Sequence, residues 1–210
     1  MRISFGRAEQ PLHGEDRSLA SLELGLFGVF DGVGGVPGSA RAAEFAAGSI
    51  AGFCRQAGPP SLQVLAEACE FADGEISRRR LGCTTATLAW VAGGALFWVS
   101  IGDSRLYLWH RGELAQVSTD QGEGNVVYNV LGMPWAEASL TVQRGALELE
   151  PGDRLALVTD GVTGDFAPDL LGPQELRPSL ELEDPQLAAE ALVRSARKRD
   201  DRTALVVDCA

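Results

Sequence analysis

The chain has 210 residues, 45% of them hydrophobic and 22% charged, which suits one compact domain with a substantial core. A formal net charge of −11 argues against a nucleic-acid backbone or an anionic membrane surface as the main partner. The N-terminus lacks the apolar core of a signal peptide, and no apolar run reaches the length of a membrane span. The four cysteines (Cys54, Cys69, Cys83 and Cys209) form neither a C-x-x-C pair nor a zinc spacing. A soluble, cytoplasmic, monomeric protein with reduced thiols is the expectation.

Ile3 to Phe5 reads as a short strand, followed by a polar connection holding His13, Glu15, Asp16 and Arg17. Ser18 to Phe30 is apolar and broken at Gly25, which predicts a hairpin. Its second arm, Leu26 to Phe30, ends in Asp31 and passes directly into Gly32, Gly34 and Gly35. Glycine there lets the backbone turn or approach a ligand closely. Such a corner can offer a carboxylate and a carbonyl to a hard cation, or Asp31 can simply cap it. Ser39 to Cys54 carries a broad apolar helical stripe that closes at Gly58-Pro59-Pro60. Ser61 then suits the N-cap of a second helix ending in Arg78-Arg79-Arg80, a solvated terminus favourable to the helix dipole.

After Gly82 the period changes. Cys83 to Ile101 predicts a hairpin through Gly93-Gly94, and strands at Arg105 to Trp109 and Glu113 to Val117 continue an antiparallel meander. Trp90, Trp98 and Trp109 read as packing residues. Ser118 to Pro134 is irregular, and strands follow at Leu140–Val142, Leu147–Leu149 and Arg154–Thr159. Ala167 to Pro185 reads as loop with room for one short helix. Gln186 to Arg199 is an amphipathic helix, and Thr203 to Val207 a closing strand. With no linker or repeat, residues 1–210 form one expected domain of the α+β class: two packed antiparallel sheets flanked by helices, a four-layer α-β-β-α sandwich.

Acids recur at strand ends beside glycine or another acid: Glu15-Asp16, Asp31-Gly32, Gly102-Asp103, Asp160-Gly161 and Asp200-Asp201. Asp-Gly alone is a turn dipeptide. Several carboxylates converging in one fold, however, raise one another's pKa unless cations neutralise them. An oxygen-only set favours magnesium, manganese or calcium over zinc. Two such ions about 3.5–4 Å apart can activate water and clamp a phosphoryl group. No Ser/His/Asp or Cys/His nucleophile set competes, and no Walker-type phosphate loop is present.

The order of these motifs resembles the metal-dependent protein serine/threonine phosphatases of the 2C type, bacterial in flavour. The matching segments are Glu15-Asp16, Val29-Phe30-Asp31-Gly32-Val33-Gly34-Gly35, Gly82-Cys83-Thr84-Thr85-Ala86, Ile101-Gly102-Asp103-Ser104-Arg105, Val158-Thr159-Asp160-Gly161 and Asp200-Asp201-Arg202-Thr203. The resemblance implies two manganese or magnesium ions. Asp31 would bridge them, Gly32 would lend its carbonyl, and Asp160 and Asp200 would complete one ion. Asp16 and Glu15 would hold the shell of the other. Asp103 matches the acid that in bacterial relatives helps bind a third, weaker ion. Asp201 stands where the family usually has asparagine, so Asp200 is the expected ligand.

Three departures from the pattern follow. The arginine that often holds the phosphate is replaced by Pro11, leaving Arg7, Arg17 and His13 as candidates. Histidines found in some members are here Val33 and Val36, and the flap segment after Thr119-Asp120 is shortened, reaching Leu131-Gly132 in a few residues. The leading functional expectation is hydrolysis of phosphoserine and phosphothreonine on proteins phosphorylated by a serine/threonine kinase, by water activated at the metals without a phosphoenzyme. The alternatives are a phosphoprotein-binding regulatory module of the same fold and a metal-stabilised structural domain.

Overall fold

The computed structural model describes residues 1–133 and 139–210. Its strands are β1 (Ile3–Gln10), β2 (Arg17–Ser21), β3 (Leu26–Phe30), β4 (Ala86–Ala92), β5 (Ala95–Ile101), β6 (Arg105–His110), β7 (Glu113–Gln116), β8 (Gly122–Glu123), β9 (Val126–Val127), β10 (Gln143–Glu148), β11 (Arg154–Val158) and β12 (Arg202–Cys209). Helices are α1 (Ser39–Ala57), α2 (Leu62–Arg79), α3 (Asp160–Thr163), α4 (Pro173–Leu180) and α5 (Pro185–Ser195). One sheet has the order β1-β12-β11-β6-β7 and the other β10-β5-β4-β3-β2, both antiparallel throughout.

Strand periodicity sorts the side chains into three apolar layers. In β3, Leu26 and Phe30 face α1 and α2, while Phe27 and Val29 face the other sheet. In β12, Ala204 and Val206 meet α4 and α5, while Leu205 and Val207 fill the space between the sheets. Central strands buried on both faces read as unbroken apolar runs rather than alternating ones, as Leu155-Ala156-Leu157-Val158 does. The α-β-β-α sandwich is therefore the observed architecture.

Local chemistry sets several boundaries as expected. Ser61 caps α2 by accepting the Val64 N–H at 3.2 Å. Gly93 and Gly94, with φ of 59° and 84°, make the β4–β5 turn. Trp90 is buried, its indole N–H donating to the Leu24 carbonyl at 2.8 Å.

Other expectations are corrected. The first strand is longer than Ile3–Phe5, because every residue to Gln10 pairs with β12. The meander breaks after β5: Gly102-Asp103-Ser104 carries the chain from one sheet to the other. The irregular stretch holds a small β8–β9 hairpin, and its expected end at Pro134 lies outside the described residues. Leu140–Val142 is not a strand, and a single strand, β10, covers the following region. The last helix ends at Ser195 instead of Arg199, since Ala196 is already extended. Two short helices, α3 and α4, fill the region after β11.

Candidate metal centre

Antiparallel register brings the acids together. Asp16 precedes β2 and Asp31 follows β3, and those strands pair as Arg17 opposite Phe30. Asp103 precedes β6, Asp160 follows β11 and Asp200 precedes β12; Val158 pairs with both Arg105 and Ala204. Each acid thus lies just beyond a strand, at the same end of its sheet. A cleft of ≈ 370 Å³ opens there, lined by Glu15, Asp31, Gly32, Asp103, Asp160 and Asp200 among others. Asp16 lies behind it, its Oδ2 accepting the Thr159 hydroxyl at 2.9 Å.

Both Asp-Gly pairs owe their glycine to a close backbone approach and not to a turn, since neither Gly32 nor Gly161 has positive φ. A Cβ on Gly32 would stand 2.9 Å from the Glu15 carbonyl oxygen. One on Gly161 would stand 1.7 Å from that of Asp201. Bare backbone lets the segments carrying Glu15-Asp16 and Asp200-Asp201 close over the strand ends. The β3 corner is braced by Thr85, whose hydroxyl accepts the Asp31 N–H at 2.9 Å and whose N–H donates to the Asp31 carbonyl at 2.8 Å.

The electrostatics are those of crowded acids. Burial, then the charges of Asp16 and Asp160, hold Asp31 well above the usual carboxylate range. Burial pushes Asp16 to about 7, and burial reinforced by Asp160 does the same to Asp103. Burial and Asp160 raise Asp165 to about 6. Asp160 is the exception. Burial would raise it, but the Lys198 ammonium together with hydrogen bonds from Asp31, Lys198 and Asp165 holds it below its ordinary value. The oxygens Asp16 Oδ1 and Asp160 Oδ1 are buried without any hydrogen-bond partner. A buried carboxylate oxygen with no donor is costly, and a cation is the natural partner for it. All-oxygen donors at such a site fit hard divalent ions.

The residues singled out from sequence divide clearly. Asp31, Gly32, Asp103, Asp160, Asp200, Glu15 and His13 line the cleft. Asp103 and Asp160, joined by Asp165, offer oxygens within 4.8 Å of one another, and among the described residues this is the one trio so placed. Asp31 lies within side-chain hydrogen-bond reach of Asp160, and Asp16 and Asp200 stand outside that trio. Arg7 and Arg17 do not line it. Arg7 is exposed on β1, and the Arg17 guanidinium is held by the carbonyls of Gly14 at 2.9 Å and Asp16 at 2.6 Å.

Asp201 and Asp200 have separate tasks. The Asp201 carboxylate accepts backbone N–H groups from Leu12, His13 (2.6 Å), Gly14 (3.1 Å), Glu15 (2.5 Å) and Asp16 (3.3 Å). Burial opposes its charge, but these donors prevail and pull it down to about 2. Its oxygens are thereby committed, which leaves Asp200 facing the cleft.

Three contributors escaped sequence reasoning: Asp165, Lys198 and Arg199. Lys198 Nζ contacts Asp160 Oδ2 and lies 3.1 Å from Asp165 Oδ2 and 3.0 Å from Asp200 Oδ2. Arg199 is exposed and lines the cleft mouth. The available signal was the basic run Arg197-Lys198-Arg199 abutting two acids, which helical periodicity absorbed into α5.

Comparison with known proteins agrees with this geometry. The family model described as Stage II sporulation protein E (SpoIIE) matches residues 27–210. No match is found among curated proteins. Among solved structures, PppA of Pseudomonas aeruginosa, described as a key regulatory component of T6SS, is 26% identical with a TM-score of 0.80, covering 99% of this chain and 98% of its own. The serine/threonine phosphatase PstP/Ppp of Mycobacterium tuberculosis is 21% identical with a TM-score of 0.82, covering 98% of each chain. A PstP catalytic domain in complex with two manganese ions is 20% identical with a TM-score of 0.78, covering 98% and 97%. The fold, the ordered motifs and the family match converge on one conclusion: the chain belongs to the SpoIIE family and has the fold of the PPM serine/threonine phosphatases.

Proposed function

We propose that this single domain, residues 1–210, hydrolyses phosphoserine and phosphothreonine on cytoplasmic proteins phosphorylated by a serine/threonine kinase. The carrying observation is the pair of orphaned buried oxygens, Asp16 Oδ1 and Asp160 Oδ1, at the end of a cleft lined by acids. In this reading Asp31, Asp160 and Asp200 hold one manganese or magnesium ion. Asp31, the Gly32 carbonyl, Asp16 and Glu15 hold the other. Asp103 with Asp165 offers a place for a third. When bound, the ions supply a nucleophile at neutral pH and offset the negative charge of the phosphoryl group.

The protein's own groups do the rest. Asp201 fixes the loop that presents Glu15 and Asp16, Thr85 fixes Asp31, and Thr159 orients Asp16. His13 and Arg199 line the cleft and offer donors to a phosphate oxygen, where Arg7 and Arg17 do not reach. Asn125 and Val127, from the β8–β9 hairpin, form part of the wall against which a substrate would lie.

Hydrolysis of a phosphopeptide with added manganese, for the wild type and Asp160→Asn, tests the proposal. Manganese-dependent turnover abolished by the substitution is expected; metal-independent or absent turnover in the wild type refutes it. A second reading, a phosphoprotein-binding module without turnover, draws support from Pro11 and from the lysine among the acids. It predicts phosphopeptide affinity in the same assay with no phosphate released.

A further inference from the structure

Lys198 is a lysine among the acids of a site read as a metal centre. Its side chain is 19% exposed, and its ammonium has three N–H donors facing three carboxylates, those of Asp160, Asp165 and Asp200. The placement is built into the backbone. α5 stops at Ser195, the chain turns extended at Ala196, and the Arg202 guanidinium grips the Lys198 carbonyl at 2.7 and 3.2 Å. Two of the three carboxylates are the pair assigned above to one divalent ion.

We propose that Lys198 is a tethered cation that competes with a divalent ion for Asp160 and Asp200, so that loading this half of the site requires the ammonium to leave. This rests on the metal reading of the cleft and adds a property to it. The ammonium holds the Oδ2 atoms of the two carboxylates that the ion would also need, and the two carry the same sign of charge, so close occupancy by both is unfavourable. The half of the site built on Asp16, Asp31 and Gly32 has no such competitor within contact among the described residues. The two halves therefore differ in affinity, with the Asp160–Asp200 half the weaker. Lysine suits the exchange, because its flexible four-carbon stem lets the charge swing into water without moving the backbone. Without divalent ions the lysine also offsets part of the negative charge gathered at Asp160, Asp165 and Asp200.

Two measurements test this, neither reading catalysis. Manganese binding by titration calorimetry should show an ion held about tenfold or more tighter in Lys198→Met than in the wild type. The melting temperature of that variant in EDTA should fall, and its rise on adding manganese should exceed that of the wild type. In the unmodified protein, an amine-reactive reagent followed by mass spectrometry should label Lys198 several-fold faster with manganese than with EDTA. Equal or weaker binding by Lys198→Met, or labelling that manganese slows or leaves unchanged, overturns the proposal. The labelling arm needs no variant to fold. If neither protein binds manganese, the metal reading itself falls; if both bind equally, only the role of Lys198 does.

Discussion

Replacing Asp201 by asparagine removes one charge and nothing of the shape, at a residue only 3% exposed. The wild-type carboxylate satisfies five backbone N–H groups of residues 12–16 with two oxygens. An asparagine keeps one acceptor and turns an NH2 toward donors, leaving about two N–H groups unpaired. The shift from 3.8 to about 2 corresponds to about 2 kcal/mol of stability at neutral pH. Because the folded pKa is depressed, that stability is present above the unfolded value near 3.8 and lost as pH falls toward 2. Urea denaturation in EDTA should therefore show a deficit of about 2 kcal/mol for Asp201→Asn at pH 7. The deficit should narrow as the pH drops from about 4 to 2. Manganese affinity should fall as well, because the loop presenting Glu15 and Asp16 loosens. A pH 7 deficit under about 0.5 kcal/mol, or one that does not change with pH, would refute the reasoning.

Gly161→Ala places a methyl 1.7 Å from the Asp201 carbonyl oxygen, so the Asp200–Asp201 segment must move; a loss of about 3 kcal/mol is expected by denaturation. Gly34→Ala, in open space and without positive φ, should stay within about 0.5 kcal/mol, and similar losses at both positions would contradict the close-approach account. In EDTA, Asp16 and Asp103, both raised to about 7 chiefly by burial, contribute stability present below pH 3.8 and lost as pH rises through 7. The melting temperature of the chelated protein should consequently drop between pH 5 and 8, and saturating manganese should abolish or reverse that drop. A flat profile in EDTA would show that these acids are not crowded as described.

Much of the architecture could be read locally, because runs such as Leu26–Phe30 and Leu155–Val158 carry their burial in their own composition. The acids were legible for the same reason: each sits at the boundary between an apolar run and a glycine or a second acid. What could not be read was set by distant partners. Gly6 to Gln10 looks too polar for a core strand, yet β12 pairs with it, and α5 sits so close that a Cβ on Gly6 would meet the Pro185 backbone at 2.2 Å. The step from one sheet to the other at Gly102–Ser104 resembles an ordinary hairpin turn, since only the partners of β6 reveal the crossing. Lys198 fits the helical period of α5 in the sequence, yet the helix ends at Ser195, and the basic run beside Asp200-Asp201 does not by itself say which acids the lysine meets.

The clasp of Asp201 on Leu12 to Asp16 joins positions more than 180 residues apart, and the β1–β12 ladder runs alongside it. Contacts of such long span form late, after the cost of closing a large loop has been met. Synthesis proceeds at about 5–20 residues per second, so the opening segment waits on the order of ten seconds before its partner strand exists. Throughout that interval Asp31 and its neighbours can fold against α1 and α2, but the Asp200 arm of the cleft is missing. A nascent or truncated chain without β12 thus lacks one arm of the proposed cation site. On the proposed metal reading, full loading of the cleft would require β12 to be in place.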